Sequence, residues 1–150
     1  MRSSLLIGSV VVAVALVMAR SVGAAPDDAV LRKASGLVWD MNEWHHEFSD
    51  RRLARGITPD KERALAESVA GKFASHRDKL AALLPKLPPD SRFAADLARF
   101  VQTWPTRDAF LQDLLGPTRG EKSGLTMSSL AMQVTDPRRG WKTLFPFFRP

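Results

Sequence analysis

A chain of 150 residues fits one domain. It contains no cysteine, which excludes zinc–thiolate sites, cysteine nucleophiles, covalent haem attachment and disulfide staples, so its stability has to come from packing. The formal charge is +6, from 22 Lys and Arg against 16 Asp and Glu, but basic and acidic residues are interspersed, a pattern that argues against nucleic acid and fits a mild attraction to an acidic partner or to anionic lipid.

The N-terminus has the pattern of a secretory signal. Arg2 supplies the positive end, Leu5 to Ala19 is an uncharged run, and Val22, Gly23 and Ala24 offer small residues to a signal peptidase. Residues 1–24 are therefore expected to be a signal peptide removed ahead of Ala25, placing the mature chain in the periplasm or outside the cell. The apolar run falls short of the roughly 20 residues a spanning helix needs. Arg20, directly behind it, is awkward for a cleaved signal, so an uncleaved N-terminal membrane anchor is an alternative. An organellar targeting segment is another: no acid precedes Asp27, although the run is continuous rather than amphipathic. Cleavage removes Arg2 and Arg20 and leaves a formal charge of 6 − 2 = +4.

Residues 25–136 read as a helical domain. Pro26, Asp27 and Asp28 open a long amphipathic helix over Asp28–Arg55, with acids at the positive end of its dipole, arginines in its last turns and Gly56 as its terminating residue. At about 100° per residue, Val30, Ala34, Leu37, Met41, Trp44, His45 and Phe48 share one face. Trp39, Glu43, His46 and Asp50 share the other.

Thr58 as N-cap and Pro59 as first helical residue restart a helix at once. It runs to about Leu84 with a stripe of Leu65, Val69, Phe73, His76, Leu80, Leu83 and Leu84. A turn this short makes the two helices an antiparallel hairpin. In that register Arg52 lies opposite Glu62 as an inter-helix ion pair, whereas His45 and His76 lie about 12 Å apart along the axis.

A Pro-punctuated connector over 85–89 follows, and Asp90 or Ser91 caps a third helix carrying Phe93, Leu97, Phe100, Val101 and Trp104. Thr106 caps a fourth with Phe110, Leu111, Leu114 and Leu115, closed by Gly116 and Pro117. Residues 117–124 read as a polar loop. Leu125 to Val134 reads as a weak helix with Met127, Leu130, Met132 and Val134. Residues 137–150 form an irregular basic, aromatic segment. The fold class is all-α: a long hairpin plus two or three shorter helices.

Glu43, His46 and Asp50, at i, i+3 and i+7, are the candidate metal ligands, because Glu-x-x-His is the spacing used by carboxylate-bridged metal sites. Such sites take further ligands from other helices, and no second Glu-x-x-His occurs in the chain. The plainer reading is a solvated face in which two acids flank a histidine. His45 and His76 point to the hairpin interior, each with a local hydrogen bond. Candidate partner or membrane contacts are Trp39, Arg138, Arg139, Trp141, Phe145, Phe147 and Phe148, since aromatics and arginine are enriched at interfaces; Trp39 alternatively packs under the C-terminal segment. The large aromatics of the last segment are too many to leave bare, so they are expected to cover a groove of the bundle. No serine lies in a Gly-x-Ser-x-Gly elbow and no glycine-rich phosphate loop follows a strand.

Gly56-Ile57-Thr58-Pro59-Asp60-Lys61-Glu62-Arg63-Ala64-Leu65 resembles the Leu-Thr-Pro-Glu-Gln helix starts of small periplasmic helical-hairpin proteins, the Spy/CpxP-type chaperones and the heavy-metal-resistance sensors. The resemblance covers about Trp44 to Leu84. It departs from the pattern where Lys61 replaces the glutamine, and nothing after Pro85 fits. It implies an exported hairpin protein with a histidine-bearing helix upstream of the turn.

The expected function is non-enzymatic: an exported helical protein that binds a partner protein, an unfolded client or the membrane surface, with no cofactor and no nucleic acid. The alternative is a periplasmic metal-binding or metal-sensing protein using the His45/His46 region.

Overall fold

A computed structural model describes residues 28–134. The signal segment expected over 1–24, and Arg138, Arg139, Trp141, Phe145, Phe147 and Phe148, lie outside the described residues. The described chain is all-α, with helices α1 (Asp28–Leu53), α2 (Pro59–Leu83), α3 (Arg92–Thr103), α4 (Arg107–Leu115) and α5 (Glu121–Met132), and a short 3-10 turn at Leu84–Lys86.

Local chemistry sets most of the boundaries. α1 stops at Leu53, and Gly56 turns the chain at φ 82°, a left-handed conformation that costs glycine little. The Thr58 hydroxyl accepts from the Lys61 N–H, and Pro59 occupies the first turn of α2. Pro85 lacks the N–H that another α-helical turn would use, and the chain tightens there into the 3-10 turn. Of the two cap residues expected for α3, Ser91 is the one used: its hydroxyl accepts from Ala94 N–H at 3.1 Å and donates to the Pro88 carbonyl at 2.9 Å. Thr106 caps α4 through the Ala109 N–H.

α1 and α2 form the long hairpin, α4 lies on α2, α5 lies on α1, and α3 bridges α2 and α5. α1 is therefore packed on two sides, and its buried stripe is wider than one partner would require. Ala34, Val38, Met41 and Phe48 are fully buried, and Ser35, Asn42 and His45 join them. Val30, Leu37 and Trp44, expected in the core, are half-buried at its edge.

The register of the hairpin differs from the simple turn-centred one. His76 meets Asp40 and Trp44. The expected Arg52–Glu62 pair does not form: Arg52 turns instead toward the α4–α5 connection, where its Nη1 donates to the Arg119 carbonyl at 2.7 Å. That carbonyl belongs to a residue held at φ 48°, so the arginine satisfies an acceptor that an irregular turn leaves over.

The second half of the core is aromatic. Phe110 of α4 is fully buried. It meets Phe73 of α2 edge-on at 5.3 Å, Phe100 of α3 at 5.8 Å, and Trp104 in a stacked arrangement at 5.9 Å. One ring thus ties three helices together. Phe110→Ala is expected to cost about 3–5 kcal/mol, the range for emptying a buried aromatic site, and Phe110→Leu clearly less. Equilibrium urea unfolding checks both: a small cost for Phe110→Leu would show that volume suffices at this site, and equal costs for the two variants would show that the aromatic shape, rather than volume, sets the packing.

Candidate functional site

Residues 117–124 are not a polar loop. Only the first part is a connection, and α5 begins at Glu121. Gly120, at φ 79°, is the N-cap, in a conformation where a side chain would be strained and a Cβ would stand 2.9 Å from Leu114 Cδ2. With no side-chain cap available from glycine, α4 supplies the partners. The Gly120 N–H donates to the Asp113 carbonyl at 2.8 Å, and the Ser123 N–H donates to the Asp113 carboxylate at 3.1 Å. A carboxylate there also suits the positive end of the helix dipole.

His45 seats α5 on α1. Its Nε2–H donates to the Gly120 carbonyl at 2.7 Å, and its ring lies directly over Gly124. A Cβ on Gly124 would fall 2.7 Å from Nε2 and 2.8 Å from Nδ1 of that ring. Burial lowers the pKa of His45. The Gly120 hydrogen bond and the charge of Asp113 oppose that shift, while His46 and Arg52 add to it. Farther along the same seam the Ser128 hydroxyl donates to Asn42 Oδ1 at 3.2 Å, and the Trp39 indole N–H donates to the Val134 carbonyl at 3.2 Å. Trp39 is therefore half-buried beneath the end of α5 rather than displayed on an open face.

The other histidine belongs to the hairpin. His76 Nε2 lies 3.2 Å from Asp40 Oδ2, and Trp44 packs edge-on against the imidazole at 4.5 Å. Lys72 lies over the Trp44 ring at 5.2 Å. Burial lowers the pKa of His76 as well; Asp40 opposes the shift and Lys79 adds to it.

The metal candidates occupy the outer side of α1. His46 and Asp50 are exposed and Glu43 is half-exposed. Among the described residues no three His, Asp or Glu side chains form a group that could hold a metal ion. The His45 and His46 rings sit 6.5 Å apart and nearly perpendicular, one buried and one exposed.

What α5 does present is a ridge between two grooves. The groove on the α1 side, of about 380 Å³, is lined by His45, His46, Ser49 and Arg52, by Thr118 and Arg119 of the connection, and by Glu121, Gly124, Leu125 and Ser128 of α5. The groove on the α3 side, of about 390 Å³, is lined by Arg92, Asp96, Arg99, Phe100, Thr103 and Trp104, and by Lys122, Leu125, Thr126, Ser129 and Leu130 of α5. Leu125 lines both and is 67% exposed. Met132 is 78% exposed two turns farther along the same face, because the buried side of α5 is set by Ser123, Gly124, Met127, Leu130 and Ala131. Across the two linings, Arg52, Arg92, Arg99, Arg119 and Lys122 stand against Asp96 and Glu121.

The sequence reading missed this ridge because it placed residues 117–124 outside any helix. Gly120 and Gly124 four residues apart, followed by Leu125 and Met132 seven apart, were the signal available. The chain matches no protein-family model, and neither the curated proteins nor the solved structures yield a match. Among the described residues no helix is long and apolar enough to cross a membrane.

Two outcomes follow. Gly124→Ala is expected to destabilise the fold by about 1–3 kcal/mol, as overpacking does, even though alanine is the better helix former. In a His45→Ala background the same change should be neutral or stabilising; a double-mutant cycle by chemical denaturation reads the difference. The second outcome concerns pH. The folded-state pKa values of His45 and His76 both lie below 6.5, so the unfolded chain binds the extra protons. Their contribution is complete above pH 6.5 and is lost as the pH falls through the folded values. The loss of stability between pH 7.5 and 5.5 should shrink in His45→Ala, and an unchanged pH profile would contradict the burial of that imidazole.

Proposed function

We propose that this is an exported, non-enzymatic binding protein that uses the α5 ridge to hold an acidic segment of a partner protein. The observation that carries the reading is the placement of Leu125 and Met132, exposed on one helical face, with five cations against two acids lining the grooves on either side of Leu125. Apolar side chains seven residues apart on a helix are the spacing by which grooves and helices recognise each other. The surrounding charge favours a partner rich in Asp or Glu through steering and register. Two large apolar side chains are few for seating a helix in a lipid interface, so a polypeptide partner is favoured over the membrane surface. Export rests on the pattern of residues 1–24. The likeness of the Gly56–Leu65 turn to Spy/CpxP-type hairpins supports the same compartment and adds nothing about the ridge.

A catalytic role has little to build on. The His76–Asp40 pair lies in the hairpin seam, with Trp44 edge-on against the imidazole, and lines neither groove. Exposed His46 and Asp50 with Glu43 supply too few converging ligands for a transition-metal centre.

Native mass spectrometry of the protein isolated from its own host tests the reading. The expected spectrum shows a polypeptide beginning at Ala25 in a stoichiometric complex with an acidic protein. The complex should be lost in Leu125→Glu/Met132→Glu and retained in Lys61→Glu, which lines neither groove. Retention of residues 1–24 would reject export by cleavage. A lone monomer, or a complex indifferent to the double substitution, would reject the ridge, and capture by anionic vesicles without any protein partner would replace it with membrane-surface binding.

A further inference from the structure

We infer that the groove between α3 and α5 is a binding site for a small amphipathic monocarboxylate, an aliphatic chain carrying one acid group. Its volume of about 390 Å³ lies within the range of small-molecule sites. Its lining is complete without any protein on the ridge.

The floor and the rim have opposite character. Phe100, Trp104 and Leu130 are buried and form an apolar floor, and Leu125 closes one side. Arg92, Arg99 and Lys122 stand around it with a single acid, Asp96. That acid is already engaged: its Oδ2 accepts from Gln133 Nε2 at 2.8 Å and lies 3.6 Å from Arg92 Nε, and its Oδ1 lies 3.7 Å from Arg99 Nη1. The arginine contacts are long and both arginines are exposed, so their remaining donors are open to a ligand. The rim therefore carries more positive charge than its own carboxylate balances, above a floor that water solvates poorly. A carboxylate joined to a hydrocarbon meets both demands, and arginine is the side chain best shaped to take it in a fork.

The same geometry selects a chain over an aromatic ring. The ammonium of Lys122 lies 5.9 Å from the centroid of the Trp104 ring, whose neighbour Phe110 stacks on it. A flat ligand would have to displace that cation to stack on the indole. A flexible chain can run beside Leu125 and Leu130 with its acid group beneath Lys122 and the two arginines.

Titration of the ¹⁵N-labelled protein with decanoate, 1-decanol and acetate tests this. Decanoate is expected to shift the amides of Thr126, Ser129 and Leu130 and the Trp104 indole, saturably and at least tenfold more tightly than decanol; acetate should leave them in place. Arg92→Gln/Arg99→Gln, on two exposed side chains, should bring decanoate to the affinity of decanol, and Arg92→Lys/Arg99→Lys should keep most of the preference. Equal binding of decanoate and decanol by the unaltered protein overturns the inference. So does full affinity in the Gln/Gln variant, a shift pattern centred on the α1 groove or scattered over the surface, or no saturable binding of decanoate.

Discussion

The fold closes on one carbonyl. Gly120 O accepts from His45 Nε2–H at 2.7 Å, from the Ser123 hydroxyl at 3.1 Å and from the Gly124 N–H at 2.9 Å, so three donors from two helices converge on it. The imidazole reaches that position only because neither Gly120 nor Gly124 carries a side chain. A buried, neutral imidazole with its N–H satisfied costs far less than one left without a partner. α1 can therefore present a polar residue to α5 and still pack tightly. The remaining α1–α5 contacts extend from this point, through Asn42 and Ser128 to Trp39 and Val134.

The two halves of the core are held in different ways. α2, α3 and α4 share rings around Phe110, where shape and apolar area decide the packing. α1 and α5 share hydrogen bonds between polar groups set among Val38, Met41 and Met127. The polar seam fixes the position of α5 more narrowly than apolar packing alone would, because each donor has one partner at one distance. The position of α5 in turn sets the width of both grooves beside it.

What the sequence made legible follows from locality. The all-α class, the hairpin, the Thr58 and Thr106 caps and the left-handed Gly56 all depend on residues within a few positions of one another, where periodicity and capping chemistry act directly. The start of α5 does not. Gly120 is a weak local start signal, and the groups that satisfy the first turn of the helix belong to Asp113, on the helix before it. Arg52 failed for a related reason: Glu62 was the partner visible along the hairpin, whereas the Arg119 carbonyl became available only through the conformation of a turn 67 residues away. His45 was legible as a helix-interface histidine with a hydrogen bond, but the interface expected was the hairpin with α2, whereas the ring packs on α5 and bonds the Gly120 carbonyl. The candidate site suffered most, because a ridge with a groove on each side exists only once α1, α3 and α5 are assembled. Trp39 is drawn half under the end of α5 by the same assembly.

Leu125 gives the two proposed activities a physical connection. Its side chain closes one side of the groove above Trp104, and it also forms the exposed crest that a protein partner would cover. One side chain cannot lean into the groove over a bound hydrocarbon and stand fully out against a partner in the same rotamer. The cations are divided in a similar way, since Lys122 lies over Trp104 on the groove side and also borders the ridge. Occupation of either surface therefore changes the free energy of occupying the other, and by linkage the effect is equal in both directions. Where ligand and partner demand the same cation, the coupling is antagonistic, because a carboxylate in the groove neutralises charge that an acidic partner would otherwise meet. Where the ligand's chain pushes Leu125 outward, it enlarges the crest and the coupling is favourable. Charge acts over several ångströms in a half-exposed groove, whereas one leucine rotamer acts only at contact, so antagonism dominates at low ionic strength and fades as salt screens it.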